Sequence, residues 1–183
     1  MKKYAVCFTM MIFAVAAFAV LPPSVLYAEE TAAAAAGDSE AVAFVKQLQD
    51  KLQSNDLNGA LSLFETMPAS LSDDVNMKIL QSSLLVSAGK YDEAKKIGDA
   101  LQASDSSNID ILELNAQIAS ARGDKAGKSA LISKILAIDP YNASANIQQA
   151  QEQALKKKYK IAGNYYRKAL TREPDNADAL FGY

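Results

Sequence analysis

Asp73-Asp74 and Asp92-Glu93 are the adjacent carboxylates that could act as a general acid and base, and little else in the sequence could assist them. There is no histidine, and the single cysteine, Cys7, lies in an apolar N-terminal run. The commonest bases, nucleophiles and zinc ligands are therefore missing from the remainder of the chain. Glycine is sparse and falls at turns, so no phosphate-cradling loop is formed. Both carboxylate pairs stand where helices begin, and there a negative charge favours the helix dipole. These features predict a protein that is not an enzyme and needs no metal or small-molecule cofactor. The chemistry that remains is hydrogen bonding and surface charge. Amides recur at Gln47, Gln81, Asn115 and Gln149, each 34 residues after the last. Stacking would set them in a row, and a structural polar seam is expected of them. Lys156–Lys158, Lys160, Arg167, Lys168 and Arg172 form a basic segment suited to a solvated outer face or an acidic partner.

The same period governs the elements that would carry these groups. Turns open at Asn55, Gly89, Gly123 and Lys157, and Gly or Asn at three of the four suits a left-handed residue just past a helix end. Ala60, Ala94, Lys128 and Ala162 follow at a common offset, small in three cases, so that two helices can approach closely. One helical turn further along the same face come Phe64, Gly98, Ile132 and Tyr166. Leu48, Ser82, Ala116 and Ala150 form a further mostly small set. Pro140 and Pro174 stop second helices. Helices are expected near 40–54, 57–68, 74–88, 91–103, 108–122, 125–138, 143–157 and 160–172.

This pattern resembles the tetratricopeptide repeat, most closely in the fourth unit (Ala150, Tyr159, Ala162, Tyr166, Ala169, Pro174). The third unit departs from it with Lys128 in place of Ala, and the first lacks the closing proline. Where the family carries a large aromatic near the start of each unit, Phe44, Lys78, Leu112 and Asn146 stand. The resemblance implies an all-α, right-handed α-solenoid of helix–turn–helix repeats with units 41–74, 75–108, 109–142 and 143–176, and the start of a fifth at 177–183. It also implies a concave face, lined by the first helix of each unit, that takes an extended peptide or a partner helix. Carried over unit by unit, that face offers Gln49 and Gln53, then Asn76, Ile79 and Ser83, then Asp110, Glu113 and Gln117, then Ile147 and Gln151. The lining is expected to be neutral, amide-rich and partly aliphatic. It lacks the Lys and Asn with which co-chaperone members of the family hold a C-terminal carboxylate.

Half of the 183 residues are apolar, enough to bury a core, and the abundance of Ala, Leu, Lys, Gln and Glu agrees with an all-α class. The net charge of −2 argues against nucleic-acid binding. At the N-terminus, Lys2 and Lys3 precede an uncharged run over 4–21, then Pro22-Pro23 and Val25–Ala28. This order predicts a secretory signal segment over 1–28, cleaved after Ala28, with an uncleaved membrane anchor through 4–21 as the alternative. Cys7 sits too early in the run to be a lipoprotein cysteine. An Ala-rich linker follows over 29–40. The expected role is a protein–protein interaction scaffold of the bacterial cell envelope, in the periplasm, with a protein or peptide partner. Two alternatives are a self-associating structural component, joined through the uncapped C-terminal repeat, and an accessory subunit of an envelope enzyme. The incomplete fifth unit also fits a fragment of a longer repeat protein.

Overall fold

The computed structural model describes residues 39–182. The signal segment over 1–28, most of the linker and Tyr183 lie outside the described residues. Among those described, the helices are α1 (Ser39–Gln53), α2 (Leu57–Leu63), α3 (Val75–Ser87), α4 (Tyr91–Ser104), α5 (Ile109–Ala121), α6 (Lys125–Ile138), α7 (Ala143–Leu155), α8 (Tyr159–Arg172) and α9 (Ala177–Gly182), with 3-10 turns at Phe64–Thr66 and Ala69–Leu71 and no strand. Consecutive helices pack together as pairs, and α3 also lies against α5, so first helices meet across unit boundaries. The result is an α-solenoid.

Helix boundaries follow from capping and backbone handedness. Asp74, Asn108, Asn142 and Asn176, each 34 residues after the last, accept the N–H of the third residue on, at 2.9, 3.3, 2.7 and 3.0 Å. Asp56 and Asp124 do the same for second helices, both at 2.8 Å. The expected left-handed residues are present, with φ of 55° at Asn55, 76° at Gly89 and 76° at Gly123, and Lys157, which opens the fourth turn without being Gly or Asn, adopts the same conformation at 58°. One helix departs from expectation. The second was expected over 57–68, but α2 ends at Leu63 and tightens into a 3-10 turn, because Pro68 pushes the residue before it out of helical geometry (Met67 ψ 131°).

The core runs along the solenoid as successive hydrophobic clusters. Leu48, Ser82, Ala116 and Ala150 are all buried between helices, as are Ala60, Ala94 and Ala162. Ser82 is tolerated at no exposure because its hydroxyl donates to the Ala94 carbonyl at 3.0 Å. Phe44 meets Phe64 edge to face, with centroids 5.7 Å apart, so one aromatic pair closes the first unit. Leu84, Ile111, Leu112, Ile132 and Ile135 are among the largest fully buried side chains, and burying each contributes about 1.5–3 kcal/mol. At the far end, Ala179 of α9 is buried with Ala162, Tyr166 and Ala169, which fastens α9 to the fourth unit.

Candidate functional site

A concave cavity of about 430 Å³ opens across the first helices of the second, third and fourth units and onto α9. Its walls include Ile79 and Ser83 from α3, Asp110, Glu113 and Gln117 from α5, and Ile147 and Gln151 from α7. Seven of the ten residues expected on the concave face are thus brought together. The other three are not part of it. Gln49 and Gln53 are exposed on α1, and Asn76 is half-buried at the start of α3. No residue of the first unit lines this cavity; there α2 is short and 69–71 forms a 3-10 turn before α3 begins.

The cavity's electrostatics differ from the neutral lining that was expected. Glu173, at the end of α8, and Asp178, on α9, join Asp110 and Glu113, and among the described lining residues Lys128 is the sole cation. Sequence reasoning assigned Glu173 to the close of the fourth unit and Asp178 to an incomplete fifth. The end of α8 places Glu173 at the cavity, and the stacking of α9 on α7 and α8 brings Asp178 there. Lys128 occupies the place of the alanines that pack between helices in other units. It is half-buried and reaches the cavity.

Glu113 is the electrostatic centre of this wall. Burial pushes its carboxyl above the ordinary carboxylate range. The side-chain amide of Asn142 opposes this by donating to Glu113 Oε1 at 3.1 Å, while the negative charges of Asp110 and Glu173 add to the rise. A positive group entering the cavity would offset the repulsion among Glu113, Asp110 and Glu173. Ile79, Leu114 and Ile147 supply an aliphatic floor, and Gln117, Gln148 and Gln151 supply amides that can both donate and accept. The arrangement can therefore hold a chain carrying apolar and cationic side chains. Among the described residues, no group of three or more His, Cys, Asp or Glu is arranged to hold a metal ion.

The periodic amides behave differently from the expected seam. Among the described residues no hydrogen bond joins one of them to the next. Asn115 instead reaches back to the preceding unit, donating to the Gly98 carbonyl at 3.1 Å and to Gln102 Oε1 at 2.7 Å. Gln47 is exposed, Gln81 is half-buried, and Gln149 holds a buried Oε1 that accepts no bond from the described residues. Asn115 thus faces the second helix of the unit before, across one unit boundary.

Stacked helix pairs with a concave inner face define an α-solenoid of tetratricopeptide-repeat-like fold. Solved structures bear this out. The chain is similar to the MamA protein over 78% of each chain (12% identity, TM-score 0.59). It is also similar to a tetratricopeptide repeat protein from Parabacteroides merdae ATCC 43184, over 79% of this chain and 58% of that one (17% identity, TM-score 0.62). A further MamA structure, MSR-1 C2, matches over 80% of this chain and 86% of that one (14% identity, TM-score 0.54). No family model and no curated protein matches the sequence.

Proposed function

We propose that the chain is a non-catalytic protein–protein interaction scaffold of the bacterial cell envelope, and that it holds a peptide segment or helix of a partner on its concave face. The observation that carries this reading is the cavity itself. Three successive first helices, α3, α5 and α7, present aliphatic, amide and carboxylate side chains to one space of about 430 Å³. A groove of this kind, extended along the solenoid, is large enough to seed a standard interface of roughly 800 Å² per partner. The envelope assignment is supported by the order of Lys2-Lys3, the apolar run over 4–21 and Ala28. No helix among the described residues is long and apolar enough to cross a membrane.

The test places a photo-crosslinking amino acid at Gln117 or Gln151 in the groove, and at the exposed Ser133 on α6 as a control, in cells that make the protein. Crosslinks to a defined partner from the groove positions, absent from Ser133, support the reading. Equal crosslinking at all three, or at Ser133 alone, overturns it. The N-terminal sequence of the same purified material checks the export signal: an N-terminus at Glu29 supports cleavage, and one at Met1 supports an anchor.

A second reading is end-to-end self-association. Leu180 and Phe181 on α9 are 55% and 94% exposed, and an apolar repeat end of this kind is a surface that a second copy can cover.

A further inference from the structure

The acidic cavity has a complement elsewhere on the same molecule. The turn between α7 and α8 reads Leu155-Lys156-Lys157-Lys158-Tyr159-Lys160-Ile161, and no carboxylate occurs from Gln153 to Arg172. Leu155 is 86% and Tyr159 68% exposed. Lys157, Lys158 and Lys160 are exposed beside them, whereas Lys156 is drawn back to Glu152 on its own helix. Cations flanked by uncovered apolar side chains on an exposed turn are the inverse of carboxylates around an aliphatic floor in a cavity. We propose that the cavity is filled by the α7–α8 turn of a second copy of this chain. The proposal rests on the reading of the concave face as a binding surface and names its occupant.

The other inter-helix turns do not fit. Asp56, Asp92 with Glu93, and Asp124 stand in or beside the turns at Asn55, Gly89 and Gly123, and would bring carboxylates against Asp110, Glu113, Glu173 and Asp178. The chain's own α7–α8 turn cannot serve its own cavity. Ile147 and Gln151 of α7 form part of the cavity wall, and Leu155 lies one helical turn beyond Gln151, roughly 6 Å further along the same rigid helix, so the turn extends away from the wall and cannot fold back into the cavity. The occupant must therefore come from another molecule. A turn entering a cavity is a contact between two different surfaces, so it propagates from copy to copy as an open chain or a ring. Opposite fields on the two surfaces would also steer the encounter.

The experiment is sedimentation velocity on the full chain in a non-ionic detergent that keeps the N-terminal apolar run dispersed. Three forms are compared: wild type, a groove variant (Glu173→Lys with Asp178→Lys) and a turn variant (Lys158→Glu with Lys160→Glu). All four positions are exposed, and circular dichroism melts check that each form folds. The wild type is expected to associate, and to weaken at least tenfold between about 50 and about 300 mM salt. Each variant alone is expected to lose at least tenfold in affinity, and an equimolar mixture of the two to regain it as a chain or ring in which the two forms alternate. Three results overturn the proposal: a wild type that stays monomeric, association that salt strengthens or leaves unchanged (apolar stacking through Leu180 and Phe181), or a mixture that fails to pair. If these occur while groove crosslinks to another protein persist, the occupant is wrong and the binding face stands. If the crosslinks are absent as well, the binding face falls with it.

Discussion

The side chain of Asn115 lies against the backbone of Gly98, donating to its carbonyl at 3.1 Å, so that an amide fills the space at a unit boundary where Phe64 and Tyr166 place aromatic rings in other units. A Cβ added at residue 98 would stand 2.1 Å from Asn115 Oδ1 and 3.0 Å from Ile118 Cδ1. Asn115 is buried and is also held by Gln102, so it cannot move away without leaving polar groups unpaired. Gly98→Ala is expected to lose about 2 kcal/mol in urea unfolding. Adding Asn115→Ala should recover part of that loss, because the clash and the amide disappear together. If the double variant lost the sum of the two single losses, the contact would not be the cause.

Lys157 adopts a left-handed backbone, φ 58°, at the position where the second and third units have glycine. A side chain there costs roughly 1–2 kcal/mol, offset partly by the lower chain entropy of lysine in the unfolded state. Lys157→Gly is expected to raise stability by roughly 0.5–1 kcal/mol. The mirror experiment is Gly89→Ala. A Cβ there meets nothing within 4 Å, so its expected loss of about 1 kcal/mol isolates the backbone. Thermal melts of both variants check the pair, and effects of the same sign in the two would refute the assignment.

These two contacts show what the sequence could reveal and what it could not. The left-handed turn residues were legible at Asn55, Gly89 and Gly123 from their types, whereas at Lys157 spacing marked the turn and the residue type gave no sign of its backbone. The tetratricopeptide-like fold was legible because small and large residues recur in one register. Pro68 was visible, yet its effect on the α2 end was missed because the second helix was assigned by period rather than by local backbone restriction. The amide row was seen, but its direction was not. Whether Asn115 bonds forward or back depends on how units stack, and Gly98, the residue that makes room, was read only as an exception to a pattern. The cavity's acidity was hidden because Glu173 and Asp178 reach it from segments assigned to a repeat end and to an incomplete unit.

Glu113 sets a pH dependence whose sign can be stated. Its carboxyl is raised in the folded chain by burial, and also by Asp110 and Glu173. The folded state therefore holds that proton to higher pH than the unfolded state does. The penalty is absent below the ordinary carboxylate value and grows as pH rises through the raised one. Glu113→Gln keeps an acceptor for the Asn142 amide and removes the charge. It is expected to stabilise the protein at neutral pH, with the difference from wild type vanishing at acidic pH. Asp105 runs the opposite way. Hydrogen bonds from Ser107 and Asn108 hold its carboxyl below the ordinary range, so its contribution is present above that range and is lost as pH falls. Urea midpoints of the two asparagine and glutamine variants, Asp105→Asn and Glu113→Gln, measured from acidic to neutral pH, should diverge from wild type in opposite directions.

Asn146 stands fully buried in the position that Leu112 fills, also fully buried, one unit earlier. Its Nδ2 donates to the Pro140 carbonyl at 3.0 Å and to the Asn142 carbonyl at 2.7 Å, while its Oδ1 accepts no bond from the described residues. A buried acceptor without a donor costs about 1–3 kcal/mol. Replacing the amide with leucine removes that acceptor. The two carbonyls it would release are cheaply satisfied: Asn142 O already accepts the backbone N–H of residue 146 at 3.1 Å, and Pro140 is exposed to water. Asn146→Leu is therefore expected to gain about 1 kcal/mol, whereas Asn146→Asp, which places a carboxylate there, should lose several kcal/mol at neutral pH. Chemical unfolding of both variants decides the matter. A leucine variant less stable than wild type would mean that the two donated bonds, rather than the unmet oxygen, govern this site.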